Sequence, residues 1–302
     1  MKAIASTALR AVLGLLLILV ILTAPGIIRR DGEGVVVRFS FILTAADDLA
    51  ERAADGSIFE YRALRTPRNM LDTLPRSMLT SFSYLLGAAY LALILGTMGG
   101  LFLGIRRNAR TPGFLMLIGA TPDFMIAVYL QILAIAFFQA TGMRLARIGY
   151  LAGHPAILLP MVTLVIVAVT VVTRLVGDRA RAIAGEEYIL YARSRGYTRR
   201  RIIFRHLLPG VLGSLEADLS RILGILMASL FITERMFRIP GITSFMFQFA
   251  FAVGFDPVAR RSSYAAQFNV ALISMVALLV VYAALYLLSL GLIRMTRRAV
   301  SS

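Results

Sequence analysis

The sequence predicts an all-α fold, a polytopic membrane helix bundle of about six transmembrane helices with a small polar segment after the first span. Three observations predict it. Of the 302 residues, 59% are hydrophobic and only 16% charged, with a mean hydropathy of +0.79, which is far outside the range of soluble domains. Long apolar runs alternate with short polar stretches along the whole chain. The arginines gather beside alternate ends of those runs, which is the bias that fixes the orientation of membrane helices.

Composition also removes several functions. A net charge of +16 and a pI near 11.1 would suit a nucleic-acid partner, but the excess sits in short loops on one expected side of the membrane, so no nucleic acid is expected. There is no cysteine, hence no disulfide framework or thiolate chemistry. Two histidines, His154 and His206, stand apart and make a metal site or a histidine relay improbable. Lys2 is the only lysine, whereas a phosphate-gripping P-loop needs one directly after its glycine-rich turn. If ATP drives this protein, another polypeptide binds the ATP and its magnesium, and no cofactor belongs to this chain.

The elements follow in order. Lys2 and Arg10 precede an apolar run from Ala11 to Ile28, which is long for a signal sequence and is read as a retained first span, residues 1–28. Residues 29–76 carry eight arginines against eight acids, the near-neutral balance of an external segment. Val35 to Leu43 reads as a strand and Ala45 to Ala54 as a helix. A second span covers about Ser77 to Ile105, with Gly96, Gly100 and Gly104 on one face, where helices can approach closely. Arg106, Arg107 and Arg110 mark its inner end.

The third span, about Gly113 to Ala140, contains Thr121-Pro122-Asp123 and Gln131. Proline in a membrane helix releases a backbone carbonyl, and an acid at that depth faces protein or water. Pro122, Asp123 and Gln131 are therefore candidates for a translocation path, with Asp123 as a local cap for the broken helix as the other reading. The fourth span covers about Ala156 to Val176. The fifth, about Val211 to Thr233, carries Glu216, Asp218 and Arg221. Asp218 and Arg221 share a face and could pair, and the three charges either sit at the cytoplasmic interface or line a path. The last span, about Val270 to Ile293, ends in Arg294, Arg297 and Arg298, another inside signal, before a tail at 299–302.

Between the fourth and fifth spans lies the stretch around which the chain is organised, Gly185 to Pro209. Glu186 and Glu187 open it, where a helix macrodipole favours negative charge. Ile189, Leu190 and Ala192 give a short apolar face, and Gly196 ends the helix as a C-terminal glycine does. A second amphipathic piece, with Ile202, Ile203, Phe204, Leu207 and Leu208, is expected to stop at Pro209-Gly210. Two short helices at about a right angle, presenting a firm knob at the membrane surface, are the expected result.

Glu187-Tyr188, Ala192-Arg193, Gly196, Ile203 and Leu208-Pro209 at this spacing resemble the EAA loop of ABC-importer permease subunits, in the dipeptide, oligopeptide and nickel variety. Further on, Glu234, Phe237 and Pro240-Gly241 follow that family's Glu-x-x-Phe-x-x-Pro-Gly pattern. The resemblance runs from about Leu71 to Arg298, although Ala259 to Asn269 departs from it. It implies a permease domain at 77–298 whose coupling loop, 177–210, docks into a groove on a separate ATPase. Glu186, Glu187, Tyr188, Ala192, Arg193, Gly196, Leu208 and Pro209 would make that contact. It further implies that Phe237, Pro240 and Gly241 belong to an outer gate beside the path.

The implied partners are a second homologous permease subunit, two ABC ATPase subunits, an extracytoplasmic solute-binding protein and membrane lipid. The implied place is a bacterial or archaeal cell membrane with both termini cytoplasmic. The chain itself is expected to be no enzyme. An ion-coupled secondary transporter is the rival reading, kept alive by Asp123, Glu216 and Asp218 but lacking an internal repeat. An intramembrane enzyme is a poorer one, since neither His-Glu-x-x-His nor Gly-x-Ser-x-Gly occurs. Among small solutes a peptide is the expected cargo by resemblance alone.

Overall fold

A computed structural model describes residues 28–31, 34–37, 40–63, 66–105, 113–150, 154–250 and 257–301. In chain order the elements are β1 (Ile28–Asp31), β2 (Gly34–Val37), α1 (Ser40–Ala54), β3 (Glu60–Ala63), β4 (Thr66–Asn69), α2 (Met70–Ile105), α3 (Gly113–Ala120) and α4 (Asp123–Thr141). They continue with α5 (Leu158–Ala184), α6 (Glu187–Ser194), α7 (Arg199–Ile202), α8 (Leu208–Met236), α9 (Ile242–Phe249) and α10 (Pro257–Ser301). The expected first span lies outside the described residues apart from Ile28, which begins a strand. Arg106, Arg107 and Arg110 lie outside them as well.

The described helices include four long and apolar enough to cross a membrane: Met70–Ile105, Asp123–Thr141, Leu158–Ala184 and Phe268–Val300. Helix α8 is equally long at 29 residues, but Glu216, Asp218, Arg221, Glu234 and Arg235 interrupt its apolar character. Among the described residues the second, fourth and last expected spans recur with longer ends. The second starts at Met70 rather than Ser77, and the fourth continues to Ala184 rather than stopping near Val176.

The chain divides into two compact units. One takes the chain as far as Met78 together with Ile242–Leu279. Here β1 and β2 pair antiparallel from Ile28↔Val37 to Asp31↔Gly34, and β3 and β4 pair from Glu60↔Asn69 to Ala63↔Thr66. Of the strand expected over 35–43, the described part is Gly34–Val37, and helix α1 occupies the chain from Ser40. Tyr61 is buried edge-on between Phe245, at 5.4 Å, and Phe249, at 4.9 Å. Asn269 donates from Nδ2 to the carbonyls of Ile58 (2.8 Å) and Glu60 (2.7 Å). The polar segment is therefore tied by side chains to α9 and α10, each such ring pair adding about 1 kcal/mol beyond its buried area.

The second unit comprises Leu79–Gly241 and Val280–Ser302. Its α2 and α5 approach through the glycine stripe. A Cβ on Gly96 would stand 2.6 Å from that of Val172, one on Gly100 2.5 Å from that of Val176, and one on Gly104 2.6 Å from that of Ala180. Both rows repeat every four residues, so two ridges of matching pitch interlock with no room for a methyl group. The stripe packs helices, as its spacing suggests. Tyr84 Oη, donating to the Ala156 carbonyl at 2.6 Å, fixes the far end of the same pair.

The third span is divided at Thr121-Pro122. Proline lacks the N–H that would bond back to α3, and Pro122 instead stands in extended geometry (φ −59°, ψ 142°) as α4 begins.

Candidate coupling loop and membrane cleft

Helix α6 is short, so its position depends on how it is anchored rather than on intrinsic helix stability. Ile189 and Ala192 supply the anchor and are buried. Glu186, Glu187, Tyr188, Arg193 and Gly196 are exposed around them. Glu186 is the N-cap and stands in extended geometry. Its carbonyl accepts from the N–H groups of Ile189 (3.0 Å) and Leu190 (3.2 Å). Two carboxylates therefore begin the helix at the positive end of its dipole.

The other end closes as a Schellman motif. Gly196 has φ +77°, its N–H donates to the Arg193 carbonyl at 3.0 Å, and the N–H of Tyr197 donates to the Ala192 carbonyl at 3.2 Å. The glycine is required by its left-handed backbone, since nothing in the chain lies within 4 Å of where its Cβ would be.

The second piece starts at Thr198, whose Oγ1 accepts weakly from the Arg201 N–H at 3.4 Å. Here the structure corrects the sequence reading. The piece does not stop at Pro209-Gly210 but passes from α7 through one wide turn, Ile203–Leu207, into α8. Proline is tolerated because Pro209 lies in the first turn of α8, and the preceding wide turn has already displaced the regular bonding pattern. Leu208 and Pro209 are half-buried at this junction. The second piece of the loop is thus joined to a long helix without a break.

Rings and guanidinium groups line the surface of the loop. Arg195 lies over Tyr191 at 4.8 Å and Arg201 over Tyr197 at 4.5 Å, geometries in which the ring quadrupole attracts the cation. His206 stacks near Tyr197 at 6.4 Å and tilts toward Tyr188 at 6.1 Å. The Tyr188 phenol is held above its usual value of 10.0, first by burial of its oxygen and then by Glu186, with Arg179 opposing. It therefore stays a neutral donor at physiological pH. Alongside α7 lies a shallow cavity of about 280 Å³ lined by Arg193, Tyr197, Arg199, Ile202, Ile203, Leu207 and Ile105.

A larger cleft, about 450 Å³, opens along α5 and α8. Its polar lining is Thr121, Asp123, Thr170, Arg174, Asp178 and Arg221, set among Ile118, Val167, Val171, Leu175 and Ile225. Asp123 is half-buried and accepts a short hydrogen bond from Ser229 on α8, so it faces inward instead of capping α4. Pro122 is exposed beside it.

The three charges of the fifth span separate. Glu216 binds Arg294 at 2.7 Å and Arg297 at 3.6 Å, near the end of α10. Asp218 and Arg221 do not pair, and Arg221 turns into the cleft. Proximity in sequence could not reveal the α10 partners, which is why the i, i+3 pairing was the natural expectation.

A profile described as binding-protein-dependent transport system inner membrane component matches residues 92–302. The chain belongs to that family. It is also 32% identical over 165 residues to the oligopeptide transport system permease protein OppB of Salmonella typhimurium, covering 52% of each chain. To the dipeptide transport system permease protein DppB of Escherichia coli K12 it is 28% identical over 123 residues, covering 41% of this chain and 34% of that one. The chain thus matches about half the length of one curated relative and a third of the other. A solved structure of the MetNI methionine ABC transporter in an inward-facing conformation shares the fold, with TM-score 0.56 at 16% identity over 75% of this chain and 97% of that one. Family and apolar helices together make this a multi-pass membrane protein.

As a binding-protein-dependent inner membrane component, the chain was expected to place Phe237, Pro240 and Gly241 in an outer gate. The structure places Phe237 wholly inside the protein, its carbonyl accepting from the Tyr150 N–H at 3.0 Å. Pro240 is exposed. Gly241 lies against the carboxylate of Glu234, so close that a Cβ would fall 2.0 Å from Oε1. Glu234 itself is 0% exposed and accepts from Ser81 Oγ at 2.5 Å. Gln131 donates from Nε2 to the Met236 carbonyl at 3.3 Å, stapling α4 to this turn. Sequence reasoning counts Arg174 with the arginines of the loop, whereas it lines the cleft, and nothing in the outer pattern that contains Glu234 indicates that its carboxylate is buried.

Proposed function

We propose that this chain is the permease subunit of an ATP-binding-cassette importer and that it forms the path for a small solute, a peptide by its similarity to the oligopeptide and dipeptide permeases. It would work with a second permease subunit, two ATPase subunits that bind ATP and magnesium, and an extracytoplasmic solute-binding protein. Both chain termini would lie in the cytoplasm, where the arginines of 179–205 and 294–298 concentrate.

One observation carries this reading. The knob at 187–194 is fixed from within by Ile189, Ala192 and the Gly196 cap, while its acidic and aromatic residues remain exposed, and the piece that follows the cap, Arg199–Ile202, runs through the wide turn at 203–207 into α8. A rigid body joined to a long helix converts closure of a partner into rotation of that helix, a two-state rearrangement of rigid parts. The test is co-purification of the ATPase subunits with the chain carrying Glu187→Ala and Tyr188→Ala. Loss of the ATPase with unchanged membrane insertion is the expected result. Full retention of the ATPase, or uptake driven by an ion gradient in its absence, would overturn the reading.

A further inference from the structure

Arg174 and Arg221 are the unexplained charges of the cleft. Arg174 lies ten residues before the end of α5 and Arg221 thirteen after the start of α8, which puts both about 15–20 Å along their helices from the loop. Both are exposed on the cleft wall, where water or a counter-charge can reach a guanidinium. Among the described residues neither has an ion-pair or hydrogen-bond partner. The two acids that share the cleft are already engaged, Asp178 by Arg181 and Asp123 by Ser229. Glu216 is occupied by Arg294 and Arg297. The cleft therefore holds two cations on different helices with no anion assigned to them, beside a volume of about 450 Å³ that could hold one.

We infer that Arg174 and Arg221 form a carboxylate subsite in the permeation path, taking the anionic end of the solute in the cleft that α5 and α8 line together with residues 118–123. Planar guanidinium groups suit a carboxylate because each can donate two parallel hydrogen bonds. Thr170 and Thr121 on the same wall offer neutral oxygens for the rest of a polar solute. The inference rests on the importer reading above and adds to it the chemistry that the path recognises.

The absence of cysteine allows a test independent of solute identity. Ile225→Cys places one thiol on the cleft wall, one turn from Arg221. In the assembled transporter, the rates of its modification by a sulfonate-bearing and by a trimethylammonium-bearing methanethiosulfonate are compared. A cation-lined cleft should favour the anionic reagent by about tenfold, and Arg174→Gln with Arg221→Gln should abolish that preference. An equal response to both reagents, no reaction with either, or a preference that survives the double substitution would overturn the subsite.

A second measurement separates this inference from the peptide reading. Uptake of trialanine should fall at least about tenfold in the double variant, while uptake of its C-terminal amide changes little. Equal loss of both, with ATPase co-purification retained, would show that the arginines do not recognise the carboxylate and would overturn the subsite. If the charge preference holds but wild-type protein transports neither peptide, the peptide reading fails and the subsite stands.

Discussion

The two ends of α8 carry the two sequence patterns that identify this chain, and they are built in opposite ways. At one end the acids of the 186–194 knob are exposed and its small apolar residues are hidden. At the other, Glu234 is fully enclosed, bonded by Ser81 and pressed against Gly241, while Pro240 is exposed. A glutamate thus occupies a key position in each pattern, yet only one of them is available to a partner. Recurrence of a residue type in a motif does not say whether it binds something else or holds its own chain together. Burial distinguishes the two.

The comparison breaks most visibly at Glu234. Glu234→Ala removes a buried acceptor and leaves both a cavity and the Ser81 hydroxyl without it, at a cost of about 3 kcal/mol. Glu187→Ala, on an exposed surface, should change stability by less than about 0.5 kcal/mol while removing the ATPase. Thermal midpoints of the detergent-solubilised protein, paired with co-purification, check both. Comparable destabilisation by the two substitutions would mean that the ends of α8 are not built differently.

Next in size is Gly241→Ala. The added methyl group has to displace the enclosed Glu234 carboxylate, which costs about 2 kcal/mol. Gly100→Ala, which would crowd Val176 and the Thr173 carbonyl between α2 and α5, should cost a similar amount. If Gly241→Ala is neutral by thermal midpoint, the outer turn is not the tight lock described above.

These cases show where sequence is informative. The helices, the break at Pro122 and the cap at Gly196 were legible because each follows from local chemistry: apolar length, a missing N–H, a left-handed residue. The glycine stripe was legible because its four-residue period puts small residues on one helix face, which suits close packing better than lining a path. The partners of Glu216, the bond from Ser229 to Asp123 and the enclosure of Glu234 join residues 78, 106 and 153 positions apart, and no periodicity encodes them. The continuous passage through Pro209 was missed for a different reason. Leu-Pro-Gly reads as a stop unless the preceding turn is known to be wide.

At the inner end, Gly196→Ala should cost about 1 kcal/mol, because φ +77° is strained for any residue with a Cβ. Gly196→Asn should cost less, since asparagine tolerates that region. ATPase affinity should follow the same order, because the conformation of the cap and not empty space is what the glycine supplies. Equal loss with alanine and asparagine would instead point to a close approach by the partner at this residue.

The smallest expected effect is at Thr198, and it tests whether the second piece of the loop is held by its own cap or by the helix it joins. The Thr198 Oγ1 bond to the Arg201 N–H is long, at 3.4 Å, so Thr198→Ala should cost only about 0.5 kcal/mol, the low end for an N-cap. Helix α7 is four residues long and could not persist alone, but its continuation through the wide turn lets α8 stabilise it. Amide hydrogen exchange over 199–207 should therefore be nearly unchanged in Thr198→Ala. Exchange rising throughout that stretch would show that the cap, and not α8, keeps the knob in place, and the rigid connection from knob to membrane helix would have to be given up.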